Sequence, residues 1–334
     1  MTAAGKVVVL GAGSFGTALA HHIALNGFRV CLWARDESLL QAISTGRENS
    51  RYLPGITLAD SLECCAALPE ALSDATGVLI AIPSQHFSSI VDDIKALAPA
   101  ECSVMWACKG LEVQTGRFLS DVVVDRLGAD RPHAVISGPT FASELASGSP
   151  TAITVAANSP AFADTVVNLL HSERFRTYIS EDIRGVQFGG AFKNIYAIAA
   201  GISDGLNFGA NARVAVITRG LAELMRLGEV LGVRAGTVMG LSGVGDLILT
   251  CTDDQSRNRR FGLGLGQGQS VAQVLAEIGQ SVEGIVATEV AFKLAAKHQV
   301  SMPIVEQVHR VINNEASPAE AVSVLLGRAA KTEI

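Results

Sequence analysis

Short apolar runs rich in β-branched residues alternate with helix-forming segments through the first half of the chain. Runs of this length, bounded by turn-forming residues, are typical of buried strands. Strands that alternate with helices predict right-handed crossovers and a mainly parallel sheet covered by helices on both faces. The predicted strands are Lys6–Leu10, Arg29–Trp33, Gly77–Ile82, Ser103–Ala107, Ala134–Ser137 and Thr151–Ala156.

The hydrophobic pattern changes near residue 183. The segment Gly185–Ser203 is apolar without β-type alternation, and Phe188, Phe192 and Ile195 recur at spacings of three and four. This spacing marks one buried face of a long helix. Ser317 and Glu320 then form a capping-box pattern near the end of the chain. Further helices are predicted at Thr17–Leu25, Val214–Leu231, Val271–Ile278, Ala287–His298 and Ile304–Val311.

These two patterns predict two domains in a chain of 334 residues. We expect residues 1–182 to form an α/β domain with a doubly wound, mainly parallel sheet, and residues 183–334 to form an all-helical domain. Nearly half of the residues are hydrophobic and only 17% are charged, which excludes a disordered chain and fits large cores.

Composition also narrows the partners and the compartment. The net charge of -6 gives no sign of a nucleic-acid surface, and no signal peptide or uninterrupted apolar run of about 20 residues is visible. The six cysteines lack paired metal-ligand spacing. We therefore expect no metal, no nucleic-acid partner, no membrane insertion, reduced thiols and a cytoplasmic location.

A glycine-rich turn follows the first predicted strand and precedes an apolar helix. It reads Gly11-Ala12-Gly13-Ser14-Phe15-Gly16 and matches G-x-G-x-x-G. Gly11 permits the tight turn, Gly13 lets a pyrophosphate approach the backbone, and Gly16 allows close packing of helix and strand. The helix N-terminus supplies N–H groups for the phosphates. The turn predicts a dinucleotide site on a Rossmann domain.

The end of the second strand bears on the choice of cofactor. An acidic residue there would bind the ribose 2′-hydroxyl of NAD, whereas an arginine suits the 2′-phosphate of NADP. The chain has Arg35 followed by Asp36 at this point. Arg35 could bind NADP or Asp36 could bind NAD; both hypotheses stay open, and we favour NADP over NAD.

Two lysines stand in positions suited to chemistry. Lys109 follows a predicted strand at the edge where parallel sheets bind ligands. Lys193 lies among apolar residues of the long helix, where burial would lower its pKa and fit it for proton transfer. Either lysine could instead lie at the protein surface. Lys193 would reach the surface by extending its side chain along the helix into solvent.

A third polar region lies in the helical half. Asp246 follows a glycine-rich turn, and the sequence Ser256-Arg257-Asn258-Arg259-Arg260 follows it. Arginine binds phosphate through two parallel hydrogen bonds, so this cluster in an acidic chain predicts an anion site. We expect Arg257 to reach the phosphate, and Arg259 and Arg260 to lie toward the surface or a domain interface. The alternative is a solvated charge run.

Taken together, these segments resemble the bacterial-type NAD(P)-dependent glycerol-3-phosphate dehydrogenases. The similarity covers nearly the whole chain in the family's order. It is carried by Gly11 to Ala20, Tyr52-Leu53-Pro54-Gly55, Lys109-Gly110-Leu111-Glu112, Ser137-Gly138-Pro139-Thr140-Phe141-Ala142, Lys193-Asn194-Ile195-Tyr196, Thr218-Arg219-Gly220-Leu221, Gly243-Val244-Gly245-Asp246-Leu247, Ser256-Arg257-Asn258 and Val282-Glu283-Gly284.

The resemblance implies an enzyme that interconverts dihydroxyacetone phosphate and sn-glycerol 3-phosphate, and so supplies phospholipid synthesis. Residues 183–334 would be the substrate and catalytic domain. Lys193 would be the proton donor and acceptor, Lys109 would stabilise the developing oxyanion, and Asp246 and Asn194 would orient these groups. We expect a homodimer. The implied substrate-binding residues are Lys109, Gly138, Thr140, Lys193, Asp246, Ser256, Arg257 and Asn258, and the implied NAD(P)-binding residues are Ser14, Phe15, Arg35, Lys109, Ala142, Arg257, Ser281 and Glu283.

Two departures from the family pattern leave this chemistry intact. The family usually has Trp or Tyr where Phe15 stands, and Ser where Thr140 stands, so the aromatic wall and the hydroxyl are both kept. Two other hypotheses remain: a β-hydroxyacid-type dehydrogenase acting on carboxylates, and a non-catalytic NADP-sensing module. The Ser256–Asn258 cluster argues against the first and the retained lysines against the second.

Overall fold

The computed structural model describes residues 5–329. The chain divides into two compact units, Met1–Gln187 and Phe188–Ile334. Helix α8, Ile183–Gly205, begins at the residue where the second domain was predicted to start, whereas the units divide inside this helix. The domain assignment 1–182 and 183–334 stays a prediction.

The first unit contains an eight-stranded sheet in the order β3-β2-β1-β4-β5-β6-β7-β8. All neighbouring strands pair in parallel except β6 and β7, which are antiparallel. The doubly wound, mainly parallel sheet is thus confirmed. The strands are β1 Lys6–Leu10, β2 Arg29–Trp33, β3 Leu62–Cys65, β4 Ala75–Ile80, β5 Ser103–Trp106, β6 His133–Ser137, β7 Thr151–Ala157 and β8 Phe175–Ser180.

Helices cover both faces of this sheet. Along β1, Val7 and Val9 enter one core while Val8 and Leu10 enter the other, which explains why this strand is apolar without alternation. Burial of each such side chain stabilises the fold by roughly 1.5–3 kcal/mol. The helices are α1 Ser14–Leu25, α2 Glu37–Gly46, α3 Leu68–Leu72, α4 Phe87–Leu97, α5 Leu119–Leu127, α6 Ala142–Ala146 and α7 Pro160–Leu170.

The second unit is helical throughout its described residues, as predicted. Glycines let the backbones of α8 and α12 (Arg257–Gly266) pack directly against each other. A Cβ at Gly201 would overlap the Arg259 carbonyl oxygen, and one at Gly262 would overlap the Ile198 carbonyl oxygen. After α8 the helices are α9 Gly209–Val230, α10 Ala235–Val238, a π-helical turn Leu241–Gly245, α11 Asp246–Thr252, α12 Arg257–Gly266, α13 Val271–Ile278, α14 Glu283–His298, α15 Pro303–Ile312 and α16 Pro318–Leu326.

One stretch of the described chain, Ala235–Thr252, is long and apolar enough to cross a membrane, with a mean hydropathy of 1.2 and 39% of it buried in the protein. It is not one straight helix, because the extended backbone of Gly240 separates α10 from the π-helical turn. Core segments of folded proteins often have the same composition. This signal is weak, and the absence of membrane insertion stays a prediction.

The six cysteines are all free. Burial raises the pKa of Cys31 to about 12, that of Cys102 to about 11 and that of Cys251 to about 12. Cys64 and Cys65 on β3 are half-buried. Because the thiolate is the reactive form, the three most strongly shifted thiols are chemically inert in the folded chain.

A buried glutamate side chain holds the N-terminus of α15. Glu223 on α9 accepts hydrogen bonds from the backbone N–H groups of Ile304 at 2.7 Å and Val305 at 3.3 Å, and from the Tyr196 hydroxyl at 3.4 Å. The first backbone N–H groups of a helix have no hydrogen-bond acceptor within that helix, so Glu223 supplies one. Burial nevertheless raises the pKa of Glu223 to about 7, since desolvation disfavours the charged form.

This shift predicts that the wild type loses stability relative to Glu223→Gln as pH rises. The unfolded carboxyl ionises near its ordinary value of 4.5, while the folded one keeps its proton up to about 7. Over that window the difference in unfolding free energy between the two proteins should change by an amount on the order of 3 kcal/mol. Chemical denaturation at about pH 5 and about pH 8 measures it.

Glu320→Gln is the matched control, because the exposed Glu320 has its pKa lowered by hydrogen bonds from Ser317. Ionisation of Glu320 should have the opposite effect: the wild type should gain unfolding free energy relative to Glu320→Gln as pH rises through the acidic range. A difference between wild type and Glu223→Gln that stays constant with pH would contradict the role given to Glu223.

Candidate functional site

The glycine turn has the geometry that the sequence predicted for it. Gly11 has a φ of +121°, which favours glycine, and a Cβ at Gly16 would overlap the Gly11 carbonyl oxygen. Apart from its two neighbours in the chain, no residue lies within 4 Å of a Cβ placed at Gly13, and no side chain caps α1. The N-terminus of α1 therefore presents backbone N–H groups beside open space, which fits a pyrophosphate.

Arg35 and Asp36 differ in what already engages them. The Asp36 carboxylate accepts hydrogen bonds from Ser38 Oγ and Leu39 N, which lower its pKa, and it pairs with Arg51 at 3.2 Å. It therefore acts as the N-cap of α2. Arg35 is exposed and forms no ion pair with the described residues. The Arg35 guanidinium is thus available to bind a ligand, whereas the Asp36 carboxylate already has partners within the protein.

The loop after β5 brings Lys109 to the glycine turn. The Lys109 Nζ lies 5.9 Å from the centroid of the Phe15 ring, at the edge of the range of a cation–π contact. Burial alone would raise the pKa of Glu112, but hydrogen bonds from Arg117, Thr115 and Ser88 hold it at about 2. Glu112 thus fixes the loop that carries Lys109.

The segment after β6 contains Gly138, Thr140 and Ala142. A Cβ at Gly138 would lie 3.0 Å from the Ile153 Cα, so glycine keeps this turn close to β7. The buried Thr140 hydroxyl lies 2.9 Å from that of Thr151. Ala142 is half-buried at the start of α6.

In the helical unit, Lys193, Asp246 and Thr250 form a buried cluster. The Lys193 Nζ donates to Asp246 Oδ1 at 2.5 Å and to Thr250 Oγ1 at 2.7 Å, and Thr250 Oγ1 donates to the Asp246 carbonyl at 2.6 Å. The side chains of Lys193 and Asp246 are 7% and 1% exposed. The reading of Lys193 as a lysine extending into solvent is therefore excluded.

Asn194 and Cys251 each follow a member of this cluster in the chain. Asn194 is buried, and its side-chain amide makes no hydrogen bond within residues 5–329. Cys251, with its pKa raised to about 12 by burial, is a neutral thiol. Among the described residues, no group of three His, Cys, Asp or Glu side chains could hold a metal ion. The cluster is suited to proton transfer by an amine.

The three residues Ser256 to Asn258 begin helix α12. Ser256 caps the helix by accepting from Arg259 N at 3.2 Å, and Asn258 Oδ1 accepts from Gly284 N at 2.8 Å. Arg257 is half-buried, and its Nη1 donates to Gln280 Oε1 at 3.0 Å. These bonds join the cluster to the start of α14, where Ser281 is exposed and Glu283 half-buried.

The expectation for Arg259 was wrong. Its side chain is 8% exposed and donates to Asp204 at 2.6 Å, to Asp254 and to the Cys251 carbonyl. It is a structural cation inside the helical unit, because its position on α12 faces α8. Arg260 is exposed, as expected.

Sequence reasoning gave no role to Thr250 or Glu112. Thr250 is four residues after Asp246 on α11, so both side chains lie on one face of that helix. That spacing was the available signal. Glu112 stood inside a family motif, but nothing in the sequence showed that Ser88 and Arg117 would meet it.

Comparison with known proteins gives a consistent result. The family model for the NAD-dependent glycerol-3-phosphate dehydrogenase N-terminus matches residues 6–163, and the one for the C-terminus matches residues 182–323. The chain is 53% identical over 327 residues to the glycerol-3-phosphate dehydrogenase [NAD(P)+] of Thioalkalivibrio sulfidiphilus (strain HL-EbGR7), with 98% of each chain covered.

A second relative and a crystal structure agree. The glycerol-3-phosphate dehydrogenase [NAD(P)+] of Shewanella frigidimarina (strain NCIMB 400) is 50% identical over 334 residues, covering 100% of this chain and 99% of its own. The crystal structure of glycerol-3-phosphate dehydrogenase from Coxiella burnetii superposes with a TM-score of 0.95 at 43% identity, covering 98% of this chain and 100% of that one. The chain therefore belongs to the family of NAD(P)-dependent glycerol-3-phosphate dehydrogenases.

Proposed function

We propose that Lys193 is the proton donor and acceptor of the family's reaction, and that Asp246 and Thr250 hold it for that task. As a member of the family, the chain is an oxidoreductase that interconverts dihydroxyacetone phosphate and sn-glycerol 3-phosphate with NAD or NADP. The observation that carries the proposal is the hydrogen bonding of the buried Lys193 ammonium to both partners.

The glycine turn fits the cofactor. The open space at Gly13 and the uncapped N-terminus of α1 suit a pyrophosphate, and we assign Gly11, Gly13, Ser14, Phe15 and Gly16 to its binding. When bound, the nicotinamide supplies or accepts a hydride at the substrate's C2. Ala142, Ser281 and Glu283 are further proposed cofactor residues, on the family resemblance alone.

Reduction turns the C2 carbonyl oxygen of dihydroxyacetone phosphate into an alkoxide that must gain a proton. Lys193 donates that proton, and in the oxidative direction the neutral amine accepts it from the C2 hydroxyl. Asp246, 2.5 Å away, balances the positive charge of the ammonium before transfer. Lys109 stabilises the same oxygen by its charge, in the manner of an oxyanion hole.

The remaining substrate contacts come from polar groups with hydrogen-bonding capacity to spare. The Asn194 amide makes no hydrogen bond within the described residues and orients the substrate hydroxyls. The phosphate is bound by Ser256, Arg257 and Asn258. In the part of the chain that the structure describes, the Ser256 hydroxyl and the Asn258 amide use only their oxygens as acceptors, so their donors remain available. The Arg257 guanidinium uses one N–H for Gln280 and keeps its other N–H donors. Gly138 and Thr140 line the substrate site.

We further propose a preference for NADP, because Arg35 is free to meet a 2′-phosphate while Asp36 caps α2. The six free thiols fit a cytoplasmic enzyme. A homodimer that supplies glycerol 3-phosphate for phospholipid synthesis completes the proposal and rests on the resemblance to the family. The proposed absence of membrane insertion rests on the sequence, which has no uninterrupted apolar run of about 20 residues.

Replacing Lys193 by Ala should lower kcat about 10²- to 10⁴-fold, the usual contribution of general acid catalysis, while NADPH binds nearly as in the wild type. Following NADPH absorbance with dihydroxyacetone phosphate measures kcat, and fluorescence titration measures cofactor binding. Lys293→Ala is the control, because that lysine is exposed and, within residues 5–329, pairs only with Glu289 on its own helix. A loss of kcat below about tenfold would rule out the role of Lys193. A wild type that binds NADPH without turnover would favour the sensor hypothesis.

Replacing Arg257 by Lys should keep the charge but lose the two-pronged contact with phosphate. We expect the ratio of kcat/KM for dihydroxyacetone phosphate to that for dihydroxyacetone to fall about tenfold or more, the loss of a charge-assisted hydrogen bond. Arg260→Lys, an exposed arginine of the same helix, should leave the ratio unchanged. An unchanged ratio in Arg257→Lys would mean that Arg257 does not bind the phosphate and that the cluster is a solvated run of charges.

Replacing Arg35 by Ala should weaken NADPH binding about tenfold or more and NADH binding far less, because only NADPH carries a 2′-phosphate. Titration of both cofactors against the wild type tests this. Arg29→Ala is the control, since Arg29 lies at the opposite end of β2 and pairs with Glu63 and Asp74. Equal losses for both cofactors would shift the assignment to Asp36.

A further inference from the structure

One side chain joins the loop after α2 to the glycine turn. Asn49 is 0% exposed, and its Nδ2 donates to the Ala12 carbonyl at 2.9 Å and to Thr17 Oγ1 at 2.8 Å. Its Oδ1 accepts from Tyr52 N at 3.2 Å. Both amide hydrogens and the carbonyl oxygen are used, so the orientation of the amide is fixed.

The bond to Ala12 determines where the next N–H points. The peptide between Ala12 and Gly13 is trans and planar, so its C=O and N–H point in opposite directions. Asn49 holds the C=O on the side of its loop. The Gly13 N–H therefore faces away from Asn49, and it has no hydrogen-bond acceptor among the described residues.

We propose that Asn49 is a positioning residue of the dinucleotide site, which presents the Gly13 N–H to the pyrophosphate before the cofactor arrives. The proposal rests on the function assigned above to the glycine turn. A donor that is already oriented costs no ordering free energy on binding. Without Asn49, the peptide would be free to rotate, and part of the phosphate affinity would be lost.

The loop itself has other attachments. Leu58 N donates to the Arg47 carbonyl at 2.8 Å, and Ala59 N donates to His21 Nδ1 at 2.9 Å. Leu53 and Leu58 are buried in the core of the first unit. Because these contacts do not involve the Asn49 side chain, its replacement should change the glycine turn more than the path of the loop.

The test compares two ligands that share a 2′-phosphate and an adenine but differ in the pyrophosphate. Binding of 2′-phospho-ADP-ribose and of adenosine 2′-monophosphate is measured by calorimetry for the wild type, Asn49→Ala and Asn49→Asp. The aspartate keeps the size and the acceptor for Tyr52 N but places an oxygen against the Ala12 carbonyl. Both variants should lose about three- to tenfold in affinity for the first ligand, the usual effect of one hydrogen bond, and less than about twofold for the second.

Asn158→Ala is the matched control. Asn158 also fixes backbone with its amide, donating to the Ala129 and Arg131 carbonyls and accepting from His133 N, but it has no bond to the glycine turn. It should bind both ligands as the wild type does. Equal losses for both ligands in the Asn49 variants, or no loss for either, would overturn this proposal alone. A wild type that binds neither 2′-phospho-ADP-ribose nor ADP-ribose would overturn the assignment of the glycine turn and this proposal with it. A wild type that binds only ADP-ribose would overturn the preference for NADP alone, and the same comparison would then be made with ADP-ribose and adenosine.

Discussion

A lysine ammonium and an aspartate carboxylate lie against each other in the helical unit, where water hardly reaches them. The Nζ of Lys193 and Oδ1 of Asp246 are 2.5 Å apart, on side chains that are almost fully buried. Removing one member of such a pair usually costs 3–5 kcal/mol, because the other is left as an uncompensated charge. The helices that carry the two residues must therefore stay in contact for the unit to be stable.

That contact depends on backbone that has no side chain in the way. A Cβ at Gly189 on α8 would overlap the Ser242 carbonyl, and one at Gly243 would overlap the Val238 carbonyl. The π-helical turn before Asp246 can thus lie directly on α8, one turn before Lys193. In the sequence these glycines are typical of a flexible loop. In the fold they allow close backbone packing, which places Asp246 next to Lys193.

The sequence predicted what depends on local pattern. The six strands with strong apolar runs and the helical nature of the second half were confirmed, but the edge strands β3 and β8 were missed because they are half-exposed and lack a continuous apolar run. Burial of Lys193 could be inferred from its neighbours. The partnership with Thr250 and the burial of Arg259 could not, because they depend on how separate helices pack.

The distribution of thiols in this chain has a practical consequence. Cys31 and Cys102 are buried in the sheet unit and Cys251 in the helical unit, each with a raised pKa. An alkylating reagent can reach such a thiol only when the surrounding structure opens, so the rate of modification reports the free energy of that opening. These three buried cysteines are therefore native probes that distinguish local unfolding of the sheet from local unfolding of the helices, without any engineered label.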